Sequence, residues 1–249
     1  MKFLFIGDIV GKIGFELVKS KINEIIKNHD INFVIANGEN IANQNGITPD
    51  EAEDLFYSGV DVITLGNHAF RQRAIHSFLD DTKYIIRPAN FSPLTPGNGY
   101  TICPTPTGDV LVINLAGQIG FNNPPDNPFL MIDQILKKVT AKYIIIDFHA
   151  EATSEKKAFG YYVDGRVTAV IGTHTHVQTA DEQILPEKTF YITDVGMTGS
   201  QDSVLGVKSQ AAIKRFITGL TLNRELAEGN LRINAVVFDT EKKNIIRIN

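Results

Sequence analysis

The sequence predicts an α/β fold with at least one largely parallel sheet. Short apolar runs, typical of buried strands, alternate with helical patterns through the first half of the chain. Polar side chains that can bind metals follow five of these runs directly. In open α/β sheets, functional groups gather just beyond the carboxyl ends of the strands. Together, these observations predict a sheet with a functional site along one edge.

Nine apolar runs have the length and composition of strands. Five of them precede the polar strand ends, at residues 3–6, 33–36, 62–65, 143–146 and 167–171. The other four lie at residues 110–115, 190–193, 233–238 and 245–248. Because the later part of the chain is richer in strands, we expect a second sheet that packs face to face on the first.

Four segments have helical patterns. Residues 12–29 repeat apolar side chains at helical spacing, and residues 213–220 carry a similar stripe. Thr48 to Glu51 form a predicted capping box with proline at the first helical position, so a helix begins there. Asn127, followed by proline, marks the start of another helix.

The sequence predicts one domain. Its 249 residues are enough for a sizeable core, and we find no internal repeat or low-complexity linker. The segment 87–99 is rich in proline, asparagine and glycine but is short, so we interpret it as a surface connection. We therefore expect a single domain over residues 1–249.

Composition limits the classes of partner. With 24 basic and 28 acidic side chains, the formal net charge is −4, which argues against a tight nucleic-acid partner by charge alone. A nucleotide or phosphate substrate stays open, because bound cations can dominate a local field. The one cysteine excludes an internal disulfide framework, and no apolar run approaches the roughly 20 residues of a membrane helix. We expect a soluble, cytoplasmic protein without a membrane partner.

The polar strand ends include the ligand types that two divalent metal ions need. These are hard oxygen atoms and imidazole nitrogens, with at least one carboxylate that can bridge. His174 and His176 follow a strand two residues apart, and alternate residues of an extended segment point the same way, so both can approach a common centre. Without thiolate, the set favours iron, manganese or zinc. The candidates are Asp8, Glu39, Asn67, His149, His174 and His176.

Each candidate also has a plain structural interpretation when it is taken alone. Asp8 after a first strand is often a turn or helix-start residue, and Asn67-His68 can form a turn. A His-x-His pair can be a solvated surface pair. The co-occurrence of these residues at five strand ends favours the metal-site interpretation.

Longer motifs carry a resemblance that runs nearly end to end. The chain resembles the calcineurin-like metallophosphoesterases, and within them the YmdB-like branch associated with 2′,3′-cyclic nucleotide phosphodiesterase activity. The resemblance implies a four-layer α/β/β/α sandwich around a dinuclear metal site, commonly iron. Beyond Phe5 to Asp8, the motifs lie at residues 37–40, 66–68, 87–91, 147–156, 172–181 and 193–199.

The resemblance also implies roles for individual residues. Asp8 and His176 would bind the first metal, and Glu39 would bridge the two metals. Asn67, His149 and His174 would bind the second metal. Asn40 would lie at the first metal or contact the phosphate. His68 would protonate the leaving oxygen or stabilise the transition state.

The predicted reaction is hydrolysis of 2′,3′-cyclic nucleotides or similar phosphodiesters by a hydroxide that bridges two transition metals. Iron is the first choice of metal, with manganese or zinc as alternatives. A phosphomonoesterase or phosphatase stays open as an alternative, and so does a non-catalytic module that responds to a nucleotide or RNA. The sequence leaves the physiological substrate, the native metal, regulatory partners and homo-oligomer formation undecided.

Two positions have competing interpretations. After His68 the chain continues Ala69-Phe70-Arg71, where the branch typically has threonine, tryptophan and aspartate. In one interpretation, Phe70 only replaces one aromatic residue with another. In the other, Arg71 adds a cation near the substrate phosphate. Asp194, after a predicted strand, orients a ligand histidine or caps a turn.

Overall fold

The first of two six-stranded sheets is built from the beginning and the end of the chain. The computed structural model describes residues 1–42, 45–220 and 225–249. Strands β1, β3, β4 and β5 run parallel, and β14 and β15 add an antiparallel hairpin, in the order β15-β14-β1-β3-β4-β5. The bounds are β1 Lys2–Ile6, β3 Phe33–Asn37, β4 Val62–Thr64, β5 Ile85–Ile86, β14 Ala235–Asp239 and β15 Asn244–Ile248.

The second sheet comes from the middle of the chain. Its order is β10-β11-β9-β8-β7-β6, with four parallel strands in the centre and an antiparallel strand at each edge. Its strands are β6 Tyr100–Cys103, β7 Val110–Ala116, β8 Tyr143–His149, β9 Ala169–Thr173, β10 Gln183–Ile184 and β11 Phe190–Ile192.

Helices cover the outer faces of the two sheets. The apolar sides of α1, α2 and α3 share a core with the first sheet, and those of α4 and α5 share one with the second. A third core, which includes Phe3, Tyr143 and Phe238, lies between the sheets. The fold is therefore the expected α/β/β/α sandwich. The helices are α1 Gly11–His29, α2 Pro49–Ser58, α3 Ile75–Asp81, α4 Pro128–Lys138, α5 Thr153–Tyr162 and α6 Ser209–Thr218.

A small third sheet joins the N-terminal strand region to the later loops. Its strands are β2 Asp8–Ile9, β12 Met197–Ser200 and β13 Leu231–Arg232. Met197 pairs in parallel with Asp8, so the first candidate ligand is fixed by backbone pairing on a short strand and not on a free loop. Within the described parts of the chain, no helix has the length and apolar character that crossing a membrane requires.

The local capping predictions are confirmed. The Thr48 side chain accepts from the Glu51 N–H, and the Glu51 carboxylate accepts from the Thr48 N–H at 2.8 Å. Asn127 caps α4 by accepting from two backbone N–H groups of the first turn. These caps satisfy donors that a helix start leaves without intrahelical partners.

The interpretation of segment 87–99 as a surface connection is wrong for its first residues. Arg87 and Asn90 are buried. The Asn90 amide donates to the backbone oxygens of Ala116 and Asp126, and its oxygen accepts from the Ala116 N–H. The segment is buried because its polar side chains supply hydrogen bonds to the neighbouring backbone, which a composition of proline, asparagine and glycine does not reveal.

Candidate metal centre

The predicted site residues meet where the carboxyl ends of the two sheets face each other. Asp8 follows β1, Glu39 follows β3, Asn67 follows β4, and His149 is the last residue of β8. Across the gap between the sheets, the Asn37 amide at the end of β3 donates to Asp147 of β8 at 3.1 Å. Parallel strands that end along one edge therefore bring together residues that are far apart in sequence.

Four of these residues converge on one point. His149 Nε2 lies 3.0 Å from Glu39 Oε1 and 3.0 Å from Asn67 Oδ1. His174 Nδ1 lies 3.0 Å from the same nitrogen. Glu39, His149 and His174 offer ligand atoms that all lie within 4.8 Å of one another, the spacing of a potential metal site. Gly66 gives the group its room, because a Cβ there would lie 2.3 Å from Glu39 Oε2.

The hydrogen bonds made by His149 and His174 indicate which nitrogen of each ring carries the proton. The Thr173 hydroxyl donates to Asp147 at 2.6 Å, so it accepts from the His149 Nδ1–H at 2.9 Å. His174 Nε2–H donates to Glu151 at 3.0 Å. The nitrogens that face each other, His149 Nε2 and His174 Nδ1, therefore both present lone pairs. Lone pairs from two imidazoles, an amide oxygen and a carboxylate around one point suit a cation.

A second group lies on the other side of Glu39. His176 Nε2 is 3.7 Å from Asp8 Oδ1. The Asn40 Nδ2 atom lies 3.3 Å from Asp8 Oδ1, 3.4 Å from Glu39 Oε1 and 3.3 Å from His176 Nε2. His176 Nδ1–H donates to the Leu205 carbonyl at 3.4 Å, which leaves Nε2 with its lone pair towards the group. Asp8, His176 and Glu39 are thus placed to share a cation, with Asn40 beside them.

His68 lies next to both groups. Its backbone N–H donates to Glu39 Oε2 at 3.0 Å, and its ring Nδ1 lies 2.9 Å from Asn40 Oδ1. Its side chain is partly exposed, whereas Glu39 is buried. The ring therefore borders the ligand groups from the solvent side, where a substrate would approach.

Burial sets the protonation of the centre. Desolvation lowers the pKa of His149 to about 4. Desolvation, and then the neighbouring His149, lower the pKa of His174 to about 3. Burial raises the pKa of the Asp8 carboxyl, although His176 and His149 oppose the shift. At neutral pH both imidazoles are uncharged, and this is the form that binds a metal.

The two histidines of the His-x-His motif do not lie on an extended segment. Strand β9 ends at Thr173, and His174 and His176 have φ angles of 100° and 64°. The expectation from strand alternation is therefore wrong about the geometry. Instead, the left-handed backbone directs His174 to the His149 group and His176 to the Asp8 group. The residues do reach one centre, on its two sides.

A buried ion pair holds this unusual loop. Lys156 Nζ donates to Asp194 Oδ2 at 2.5 Å and to the Thr173 carbonyl, and both side chains are almost fully buried. The same Asp194 oxygen accepts from the Thr175 N–H at 3.0 Å, and its other oxygen accepts from the Gly196 N–H. Asp194 therefore binds backbone groups of the histidine loop, so of its two predicted roles the turn-holding one fits these contacts.

Sequence reasoning assigned no role to Thr173 or Asp147, although they link His149 to the buried interior. Asp147 accepts from the Thr173 hydroxyl and from Asn37, and burial raises its pKa to about 7. The available signal is an acidic residue within an otherwise apolar strand. Such a carboxylate needs partners, and here those partners orient a ligand ring through a hydroxyl.

Of the altered residues after His68, Phe70 follows the simpler interpretation. Phe70 packs against the core under the first sheet, with its ring 6.1 Å from that of Phe91. Arg71 is exposed, and among the described residues it is not one that lines the cavity over the ligand groups. Phe70 therefore serves as an aromatic packing residue, while a role for Arg71 at the substrate phosphate stays a prediction.

A four-layer sandwich with carboxylate, amide and imidazole groups at its facing strand ends defines a protein of the metallophosphoesterase class. A family model described as YmdB-like protein matches residues 4–249. The chain is 47% identical over 243 residues to the 2′,3′-cyclic-nucleotide 2′-phosphodiesterase of Bacillus subtilis strain 168, covering 97% of this chain and 92% of that protein. The chain belongs to the YmdB-like family.

Solved structures agree with this assignment. A hypothetical protein from Thermus thermophilus matches with a TM-score of 0.92 and 36% identity over the full length of both chains. A phosphatase from Mycoplasma pneumoniae matches with a TM-score of 0.92 and 32% identity, covering 100% of this chain and 93% of that one. The chain is accordingly a hydrolase of phosphoric esters.

Proposed function

We propose that this protein hydrolyses phosphodiesters, with 2′,3′-cyclic nucleotides as the substrate class, at a centre of two metal ions. The observation that carries the proposal is the 3.0 Å approach of His149 Nε2 and His174 Nδ1, both with lone pairs, beside the Glu39 carboxylate. The name of the Bacillus subtilis relative supports the choice of cyclic nucleotides.

The ligand groups divide around Glu39. Asp8 and His176 would hold one ion, while Asn67, His149 and His174 would hold the other, with Glu39 between them. Bound ions of this kind lower the pKa of water to supply a nucleophile and neutralise the charge of the phosphate. The mixture of oxygen and imidazole ligands suits iron, with manganese or zinc as alternatives.

Asn40 and His68 would act directly on the substrate. In its present orientation Asn40 directs an N–H donor to the first ligand group and its oxygen to His68 Nδ1. Asn40 would therefore donate to a nonbridging phosphate oxygen, the second of the two roles that the resemblance implies. With its Nδ1 proton held by Asn40, His68 as the imidazolium would deliver the Nε2 proton to the leaving ribose oxygen.

A phosphomonoesterase is the second candidate, favoured by the naming of the Mycoplasma pneumoniae structure as a phosphatase. A metal core that binds phosphate serves both reactions, so the surrounding residues decide between them. The test is to compare the kcat/KM of the metal-loaded protein for 2′,3′-cyclic AMP with that for adenosine 3′-monophosphate. A higher value for the diester supports the proposal, and a higher value for the monoester replaces it.

A non-catalytic nucleotide- or RNA-responsive module is the remaining alternative. It predicts that a His68→Ala variant keeps the full cellular effect of the protein, whereas the catalytic proposal predicts that the effect is lost.

For the location of the protein we propose the cytoplasm. The observation that supports this is the single cysteine, Cys103, which is buried and free.

A further inference from the structure

The cavity over the ligand groups has two chemically different sides. Its volume is about 340 Å³, within the range of small-molecule sites. Glu39, His174 and His176 line one side together with His68. Another part of the lining comes from the turn 204–207 and helix α6, and we call this part the apolar wall. Its cavity-lining members include Val204, Leu205, Val207, Ala212, Arg215 and Phe216.

The turn of the apolar wall carries a leucine in an unfavourable backbone conformation. Val204 and Val207 exchange backbone hydrogen bonds of 2.8 and 3.1 Å, and the two residues between them, Leu205 and Gly206, have φ angles of 54° and 91°. Such two-residue turns favour asparagine or glycine at both central positions. A leucine there costs free energy, and residues held in such conformations cluster at functional sites.

The same leucine ties the apolar wall to the ligand groups. The Leu205 carbonyl accepts from His176 Nδ1–H at 3.4 Å, while its side chain is 48% exposed and lines the cavity. The turn therefore keeps a fixed distance from the centre that binds the phosphate. The organic part of a substrate whose phosphate is held by the ligand groups would therefore lie next to this wall.

Helix α6 adds an aromatic ring and a cation. Phe216 is 82% exposed and lines the cavity next to Arg215. Among the described residues that line the cavity, Arg215 is the one lysine or arginine. An exposed phenyl ring with a guanidinium beside it suits the face of a planar base, because stacking and cation–π contacts both use such faces.

We infer that Leu205, Arg215 and Phe216 bind the base of the nucleotide and thereby favour nucleotides over base-free cyclic phosphodiesters. This inference rests on the proposed function for the reaction, but it concerns a separate surface. The phosphate and ribose occupy the side with the histidines, and the base lies on the apolar wall. Stacking tolerates every base, so we expect purine and pyrimidine substrates to share this surface.

The experiment uses the full, metal-loaded chain and two cyclic diesters. The first is 2′,3′-cyclic AMP, and the second is glycerol 1,2-cyclic phosphate, which keeps the five-membered ring but lacks a base. Phe216→Ala should lower kcat/KM for cyclic AMP by about 5- to 150-fold, chiefly through KM, because loss of a base–aromatic stack has that size. Its kcat/KM for the glycerol diester should not change.

Ile217→Ala is the matched control. Ile217 lies on the same helix and is 78% exposed, but it is not among the residues that line the cavity. Ile217→Ala should leave kcat/KM for both substrates unchanged. Leu205→Asn is a second test, because asparagine relieves the backbone strain. Leu205→Asn should raise the melting temperature or leave it unchanged, yet lower kcat/KM for 2′,3′-cyclic AMP.

The outcomes separate the inference from the proposed function. Equal effects of Phe216→Ala on both diesters, or no effect on either, would overturn the inference. The same holds if Phe216→Ala and Ile217→Ala both reduce the mass measured by light scattering and slow both substrates, since the helix face would then be a contact between copies of the chain.

Turnover of neither diester by the parent would overturn the proposed function alone. Calorimetry then decides the inference, using adenosine 3′-monophosphate and inorganic phosphate as ligands. Phe216→Ala should weaken binding of the nucleotide by the same factor and leave binding of phosphate unchanged. Equal binding of the nucleotide by parent and variant would overturn the inference.

Discussion

His149 Nε2 and His174 Nδ1 lie 3.0 Å apart, and each ring donates its proton on the far side. His149 donates to the Thr173 hydroxyl, and His174 donates to Glu151. Because both facing nitrogens carry lone pairs, a cation between them replaces repulsion with attraction. The fold therefore prepares a metal-binding arrangement through hydrogen bonds behind the ligands.

Removing the Thr173 hydroxyl should weaken the metal centre without touching a ligand. Thr173→Val leaves the His149 Nδ1–H without its acceptor, and loss of such a partner lowers metal affinity by about 10- to 100-fold. Thr193→Val is the matched control, since Thr193 is buried and bonds through its hydroxyl to Asp181 and Tyr191. Competition with a chelator measures the metal affinity. An equal loss of affinity in both variants would contradict a role for the hydrogen bond between Thr173 and His149.

The buried pair of Lys156 and Asp194 should be essential for stability. Lys156→Met leaves an uncompensated carboxylate with almost no exposure, which costs about 3–5 kcal/mol of unfolding free energy. Lys19→Met is the control, because the Lys19–Asp54 pair is 31% and 49% exposed and contributes at most about 1 kcal/mol. Urea denaturation measures the unfolding free energy of both variants. Similar losses in the two would contradict a stabilising role of the Lys156–Asp194 pair.

The unfolding free energy of the metal-free protein should depend on pH, because burial keeps His149 neutral. Burial lowers its folded pKa to about 4 from the ordinary 6.5, so below pH 6.5 the unfolded state binds the proton more readily. The contribution of His149 to stability therefore falls as the pH drops from about 6.5 to 4, by up to about 3 kcal/mol.

A His149→Asn variant isolates this effect. The unfolding free energy of the chelator-treated parent minus that of the variant should decrease as the pH falls through the same interval. Asp147, whose pKa is raised to about 7, is present in both proteins. The pKa of His174, which desolvation and the neighbouring His149 lower, should be less depressed in the variant, and this adds to the decrease of the difference. A difference that is constant from pH 7 to 4 would contradict the shift.

His68 should affect chemistry and not metal content. His68→Ala removes the proton donor, so kcat for 2′,3′-cyclic AMP should fall by about 10²- to 10⁴-fold with the metals retained. A diester with a nitrophenol leaving group needs little protonation and should lose much less. His29→Ala, at the end of α1, serves as the control. Equal losses for both substrates would argue against proton delivery.

The sequence predicted most of the fold because strands, caps and helical stripes are local patterns. The capping box at Thr48 and the strand ends at Glu39 and His149 follow from neighbouring residues alone. The geometry of His174 and His176 did not follow, because their left-handed backbone depends on Asp194 and Lys156 from other elements. The roles of individual ligands and the single-domain boundary stay predictions.

The apolar wall illustrates the same limit. Sequence reasoning identified an apolar stripe that includes Phe216 but not the fact that it borders the ligand groups. That fact depends on the turn around Leu205 and its bond to His176, which join distant parts of the chain. Contacts of this kind need the folded structure.

The most direct test of the account is the metal content of the purified protein together with its diesterase activity. The protein is purified without chelator, analysed for bound elements and assayed on 2′,3′-cyclic AMP, beside a Glu39→Ala variant. We expect about two equivalents of transition metal with turnover in the parent, and loss of turnover with reduced metal in the variant. No metal and no turnover, even after anaerobic reconstitution with iron or manganese, would contradict the metal-centred account.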